Sequence, residues 1–234
     1  MERRHEVTRV EGFSDAVFGF ALTLLVVSLD VPKSTAELLE LMKGFVPFGL
    51  MFAMICWIWY EHQKFFRRYG LQDAWTITLN AVLLFVVLFY VYPLKFLTIG
   101  LANTYFHMGN ASAPVVADRG DAVMLLYSAG VVLIFGAFVL LYSHAWRCRE
   151  AIALTPEERT TLIYARRGHL LSGALGVVSI VIVLVGQRFH VKLAPMYAGL
   201  LYALMGPLHA VNGYMTGKAQ DSLRPSPPTP YAKR

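Results

Sequence analysis

Arg9-Val10-Glu11-Gly12-Phe13-Ser14-Asp15-Ala16-Val17-Phe18-Gly19-Phe20-Ala21-Leu22-Thr23-Leu24-Leu25-Val26-Val27-Ser28-Leu29 is the stretch that decides how this chain is read. From Ala16 to Leu29 it carries no charge, and Val10 to Leu29 as one helix covers about 30 Å, the thickness of a bilayer's hydrocarbon. Its head is different, because Arg9, Ser14 and Asp15 bring polar groups into a membrane helix. Such groups are costly there and point to function, facing the protein interior or a water-filled path. The polar head and the lack of a small-residue cleavage site before the next segment argue against a removable signal peptide.

Outward from this stretch the rest of the chain repeats its apolar character. Of 234 residues, 56% are hydrophobic and only 15% charged, against roughly 25% charged in soluble domains. Five further spans are expected, at Gly44–Tyr60, Trp75–Leu97, Ala122–Trp146, His169–Gln187 and Leu193–Thr216, giving an all-α polytopic membrane protein. A barrel is excluded by the lack of period-two alternation. No room is left for a folded aqueous domain, which excludes an enzyme built on one. The net charge of +6 comes from short basic segments between apolar blocks, so nucleic-acid binding is not expected.

With the N-terminus in the cytoplasm, 15 of the 21 Lys and Arg residues fall inside, as the positive-inside rule asks. An even span count then puts both termini on that side. Residues 1–218 form the membrane domain. The proline-rich end, 219–234, reads as a disordered tail. The longest connection, about Thr98 to Asp121, is expected as a polar outer loop containing the chance sequon Asn110-Ala111-Ser112. Thr155-Pro156-Glu157-Glu158 reads as a helix start, with Thr as N-cap, Pro first and acids in the first turn, opening a cytoplasmic extension of span five.

Helical geometry divides the first span. At 100° per residue Ala16, Phe20, Thr23 and Val27 lie within about 60° of one another, and Gly19 borders the stripe. Asp15 lies about 100° away, and Ser14 is nearly opposite. A stripe facing a symmetry axis turns both polar residues back into the surrounding helices. There Asp15 can accept hydrogen bonds from Arg9, His62 or the Trp59 indole, with Asn80 joining them; ordinary capping at the interface is the blander reading of Ser14 and Asp15.

Here the sequence resembles the transmembrane-protein-175 family of potassium channels, whose first helix is marked by Arg-x-x-x-Phe-Ser-Asp. The match is complete at Arg9, Phe13, Ser14 and Asp15. Trp59-x-x-His62 with Phe66 at the end of span two, and Asn80 opening span three with Pro93 near its end, carry the resemblance over roughly the first hundred residues. The second half follows in hydropathy alone. The resemblance implies a passive K⁺-selective channel in a prokaryotic cell membrane, a homotetramer with its first helices around one pore. It implies no catalysis and no cofactor beyond the permeant K⁺. Ala16, Gly19, Phe20, Thr23 and Val27 would line the pore, and Arg9, Phe13, Ser14, Asp15, Trp59, His62 and Asn80 would hold the pore helix. The family usually places Ile or Leu five residues after the motif Asp and a hydroxyl three further on. Thr23 matches and Phe20 departs, which implies modest selectivity at a phenyl constriction.

Two other readings stand beside it. Asp15 and His62 could exchange a proton in a proton-coupled secondary transporter or proton path, although no internal repeat is evident. Arg147, Arg149, Arg166 and Arg167 could serve a cytoplasmic-face enzyme or assembly factor, but topology and anionic headgroups explain them more simply. His5, His107, His144, His169, His190 and His209 lack metal-ligand spacing and read as interfacial or packing residues. Cys56 and Cys148 read as packing residues too. Asp30 could form an anionic ring at an outer mouth. Ser172-Gly173-Ala174-Leu175-Gly176 suggests close helix packing, and Gly206-Pro207 a kink.

Overall fold

The computed structural model describes residues 6–27, 32–106 and 120–222. They form helices α1 (Arg9–Val27), α2 (Thr35–Met42), α3 (Phe45–Tyr69), α4 (Ala74–Phe106), α5 (Gly120–Arg147), α6 (Pro156–Arg188), α7 (Ala194–Leu200) and α8 (Met205–Asp221), with a 3-10 turn at Leu201–Leu204 joining the last two. Four of them, α3, α4 to Gly100, α5 and α6, are long and apolar enough to cross a membrane. Asp30, His5, His107, the Asn110 sequon, Arg119 and the proline-rich end from residue 223 lie outside the described residues.

Several expected boundaries move. Helix α3 continues past Tyr60 through Glu61, Lys64, Arg67 and Arg68, so Trp59 and His62 are interior to it. It ends only at Gly70, whose φ of 60° suits glycine and turns its amide onto the Phe66 carbonyl. Helix α4 does not stop for an outer loop at Thr98. It runs on to Phe106 with Pro93 inside it, and α5 begins already at Gly120. The sixth apolar stretch is not continuous, and its break falls at Leu201–Leu204 rather than at Gly206-Pro207. Pro207 sits in the first turn of α8, where its missing N–H costs nothing. The α6 start is as read: Thr155 caps it, and Glu158 completes a capping box.

In lipid, helices associate through close packing and interhelical hydrogen bonds rather than through hydrophobicity. Helices α5 and α6 pack closely on each other and on their neighbours α4 and α7. At Gly176 an added β-carbon would lie 2.8 Å from Val132 Cγ2 and 3.3 Å from the Ser128 carbonyl oxygen, at Gly130 it would run into the Tyr90 ring, and at Gly186 into the Ala194 β-carbon. Ser128, Ser179 and Tyr202 join α5, α6 and the 3-10 turn by hydrogen bonds of 2.8 and 2.9 Å. Helix α1 lies apart from this pair, packed against α3 and α4. It buries Phe18, Ala21 and Leu25 there.

Candidate functional site on the first helix

The start of α1 is fixed locally. The Thr8 amide donates to Glu11 Oε2 at 2.8 Å, and the Glu11 amide to Thr8 Oγ1 at 3.2 Å. This is a capping box, and Thr8-x-x-Glu11 was its signal in the sequence.

Rotation of α1 is fixed by side chains from behind. Ser14, fully buried, donates its hydroxyl proton to the Val10 carbonyl at 2.8 Å and accepts from Asn80 Nδ2 of α4 at 2.9 Å. Asn80 Oδ1 in turn takes the His62 Nε2 proton from α3 at 2.8 Å, which sets that imidazole's tautomer. The donors run one way, from His62 to Asn80 to Ser14 to the α1 backbone. Phe18 meets the His62 ring edge-on at 5.5 Å, and Phe66 packs on it at 4.6 Å. Trp59 Nε1 donates to Asp15 Oδ1 at 2.7 Å, at the edge of the buried face.

Arg9 is not among Asp15's partners. It is exposed, with no hydrogen bond or ion pair to another described residue. Six positions along a helix put it about 120° round from Asp15 and about 9 Å away along the axis, which explains the separation. Phe13 is also outside the hydrogen-bonded group. It is 64% exposed, and with Arg9, Val10, Ile77, Asn80 and Ala81 it lines a recess of about 190 Å³ between α1 and α4.

Among the described residues the opposite face of α1 is exposed. Ala16, Gly19, Phe20 and Thr23 are all exposed, Phe20 by 68%, and a β-carbon at Gly19 would stand in open space. Thr23 spends its proton on the Gly19 carbonyl at 2.8 Å, so its oxygen presents only lone pairs outward. Val27 ends the helix, and its side chain lies outside the described ones.

The remaining histidines divide three ways. His169 is buried and stacked 4.7 Å from Phe138, with Glu61 Oε2 at 3.8 Å from its Nε2. His209 shares a 2.8 Å hydrogen bond with Ser172, and His144 meets Asp73 at 3.0 Å and Cys148 at 3.7 Å. His190 is exposed at the end of α6. Among the described residues no three His, Cys, Asp or Glu side chains gather to hold a metal ion.

The chain is all-helical, with one helix held by polar groups on one side and exposed on the other, and the proteins it resembles are channels. A model of the family described as "Endosomal/lysosomal potassium channel TMEM175" matches residues 9–103. A "Potassium channel" of Marivirga tractuosa is 35% identical over 94% of this chain and 92% of its own. A potassium channel of Chamaesiphon minutus is 33% identical over 53% of this chain and 63% of its own. Among solved structures, a threonine-to-alanine variant of the potassium channel MtTMEM175, in complex with a nanobody–MBP fusion, superposes with a TM-score of 0.81 at 35% identity, covering 93% of this chain and 97% of that one. A lysosomal potassium-selective channel TMEM175 homolog from Chamaesiphon minutus shares the fold, with a TM-score of 0.55 at 22% identity over 84% and 96%. The chain belongs to the TMEM175 potassium channel family.

Proposed function

We propose that this protein conducts K⁺ passively as a homotetramer, with α1 of each protomer around a central pore. Six crossings, by α1, α3, α4, α5, α6 and the α7–α8 stretch, would keep both termini in the cytoplasm of a prokaryotic cell. The observation that carries the reading is the division of α1: one face hydrogen-bonded to α3 and α4, the other bare and mostly apolar. A bare face on a helix held at a set rotation suits a symmetry axis better than lipid, because lipid contact needs no such hold.

On this reading Ala16, Gly19, Phe20, Thr23 and Val27 line the path. Four Phe20 rings would form the constriction, closing by dewetting and discriminating through the cost of stripping water from the ion. Four Thr23 oxygens, their protons already committed to the helix, would offer acceptors to a cation. Ser14, Asp15, Trp59, His62 and Asn80 would form the frame of the pore helix, with Arg9 and Phe13 beside it at the recess. No cofactor is called for, and residues 1–218 act as one channel domain ahead of the terminal tail.

The proton-path alternative has less support. No hydrogen bond joins Asp15 to His62 among the described residues, and the group next to His62 is an amide, which does not pass protons on. The test is K⁺ and Na⁺ flux through liposomes containing the full chain, with and without a proton gradient. Passive flux favouring K⁺ is expected, with Phe20→Ala raising flux and lowering the K⁺/Na⁺ ratio. Flux only in exchange for protons would overturn the reading.

A further inference from the structure

The recess between α1 and α4 changes character along its length. It measures about 190 Å³ and is lined by Arg9, Val10 and Phe13 of α1 and by Ile77, Asn80 and Ala81 of α4. Arg9 is the first residue of α1 and is exposed, and no acceptor among the described residues takes its guanidinium protons. Asn80 is 2% exposed. Its Nδ2 carries two protons; Ser14 takes one at 2.9 Å, and no described residue takes the other. Ser14 is five residues, about 7.5 Å, along α1 from Arg9, so the amide bonded to it lies deeper than the cation. The rest of the lining is hydrocarbon, with Phe13, Ile77 and Ala81 at exposed positions.

We propose that this recess is a binding site for an acidic glycerophospholipid, with the phosphate at Arg9, an ester carbonyl at the spare Asn80 proton and an acyl chain against Phe13, Ile77 and Ala81. A guanidinium holds phosphate through charge-assisted, bidentate hydrogen bonds. The order of cation, amide and hydrocarbon in the wall runs parallel to the order of anion, ester and chain in such a lipid. Free phosphate would leave the apolar lining unused, and an uncharged lipid would leave the guanidinium without a counter-charge. The depth agrees as well. Trp75, two residues before Ile77 and 53% exposed, is of a type that settles at the headgroup level. In the orientation proposed above, this end of α1 lies in the cytoplasmic leaflet, whose surface is negative. The choice of leaflet rests on that reading, whereas binding requires no conduction.

The test therefore reads bound lipid rather than flux. Full-length protein is reconstituted in nanodiscs of phosphatidylcholine mixed with phosphatidylglycerol and released into detergent, and native mass spectrometry identifies the lipid that stays bound together with the oligomer that holds it. Wild type is expected to retain phosphatidylglycerol over phosphatidylcholine by at least about fivefold relative to their ratio in the disc. Arg9→Gln should bring that preference close to unity, and Arg9→Lys, which keeps the charge without the planar fork, should fall between the two. Ala81→Trp leaves Arg9 in place and fills the recess from an exposed position, so it should lose the retained phosphatidylglycerol as well. Full retention in Ala81→Trp would show general attraction to a basic surface and overturn the site, as would the lack of any preference in wild type. Displacement of the lipid by inorganic phosphate would make the recess a simple anion site and overturn the lipid assignment. Variants that break the oligomer but retain lipid as wild type does would give the recess to a second copy of the chain, again overturning the proposal. The preference is expected whether or not the same preparation conducts K⁺, so a failure of the channel reading would leave it standing.

Discussion

Helix α1 with its supports, α3 and α4, and the assembly of α5 to α8 solve the same problem by different means. In the second region glycines bring backbones together, at Gly176 against Val132 and Gly186 against Ala194, and hydrogen bonds such as Ser128 to Ser179 close the remaining gaps. Its polar side chains are joints between surfaces that already touch. In the first region the polar groups run in sequence, from His62 through Asn80 to Ser14, and all act on one side of one helix. The difference is one of means: among the described residues the second region joins its helices to one another, while the first holds one face of α1 and leaves the other exposed.

That contrast can be broken by substitution. The largest effect is expected from Gly186→Ala, whose new methyl would run into the Ala194 β-carbon, a short and rigid neighbour. A loss of about 3 kcal/mol follows if the interface must shift, read as a fall in unfolding temperature. Tolerance at that position would show the second region to be looser than described. Next comes Asn80→Leu, which strips the partners from His62 and leaves Ser14 only its own backbone contact. It should cost about 1–3 kcal/mol and disturb K⁺ flux as well, whereas Gly186→Ala acts through folding. Loss of stability with normal flux would detach the polar series from function. The smallest change in stability belongs to Gly19→Ala. Its methyl enters open space in the protomer, so the fold should be unaffected or gain up to about 1 kcal/mol in helix propensity. Its flux should nevertheless fall, since the methyl would project into the proposed path; unchanged flux would remove Gly19 from the lining.

Much of the fold was legible because hydropathy marks where lipid can be. Hydropathy gave the all-helical class, the motif at Arg9, Phe13, Ser14 and Asp15 gave the family, and the capping pattern Thr155-Pro156-Glu157-Glu158 gave the α6 start. Hydropathy could not give helix ends, since a helix stops where its hydrogen-bond chain stops. Thus α3 runs through four charged residues beyond Tyr60 to Gly70, and α4 passes Thr98 and its own Pro93. Helix α2 was missed because eight residues are too few for a span. At the candidate site, periodicity separated Ala16, Gly19, Phe20 and Thr23, which are exposed, from Ser14, which is buried. The partners of Asp15 were harder to read. Trp59 was among those considered and does bond it, but Arg9 was named as well, and rotation about the helix sets the two apart. The Thr8–Glu11 capping box had a signal, Thr8-x-x-Glu11, that went unread, and the Asp73–His144 pair joins residues 71 positions apart, which spacing alone does not connect.

The uncovered side of α1 has an evolutionary consequence. Most substitutions destabilise proteins, and that burden limits how far a working residue can change. Among the described residues Ala16, Gly19, Phe20 and Thr23 are exposed, so the packing of those residues places little restraint on them. A phenylalanine can stand where relatives are expected to carry an aliphatic residue, and lineages can explore new side chains there without first acquiring compensating changes in the rest of the chain.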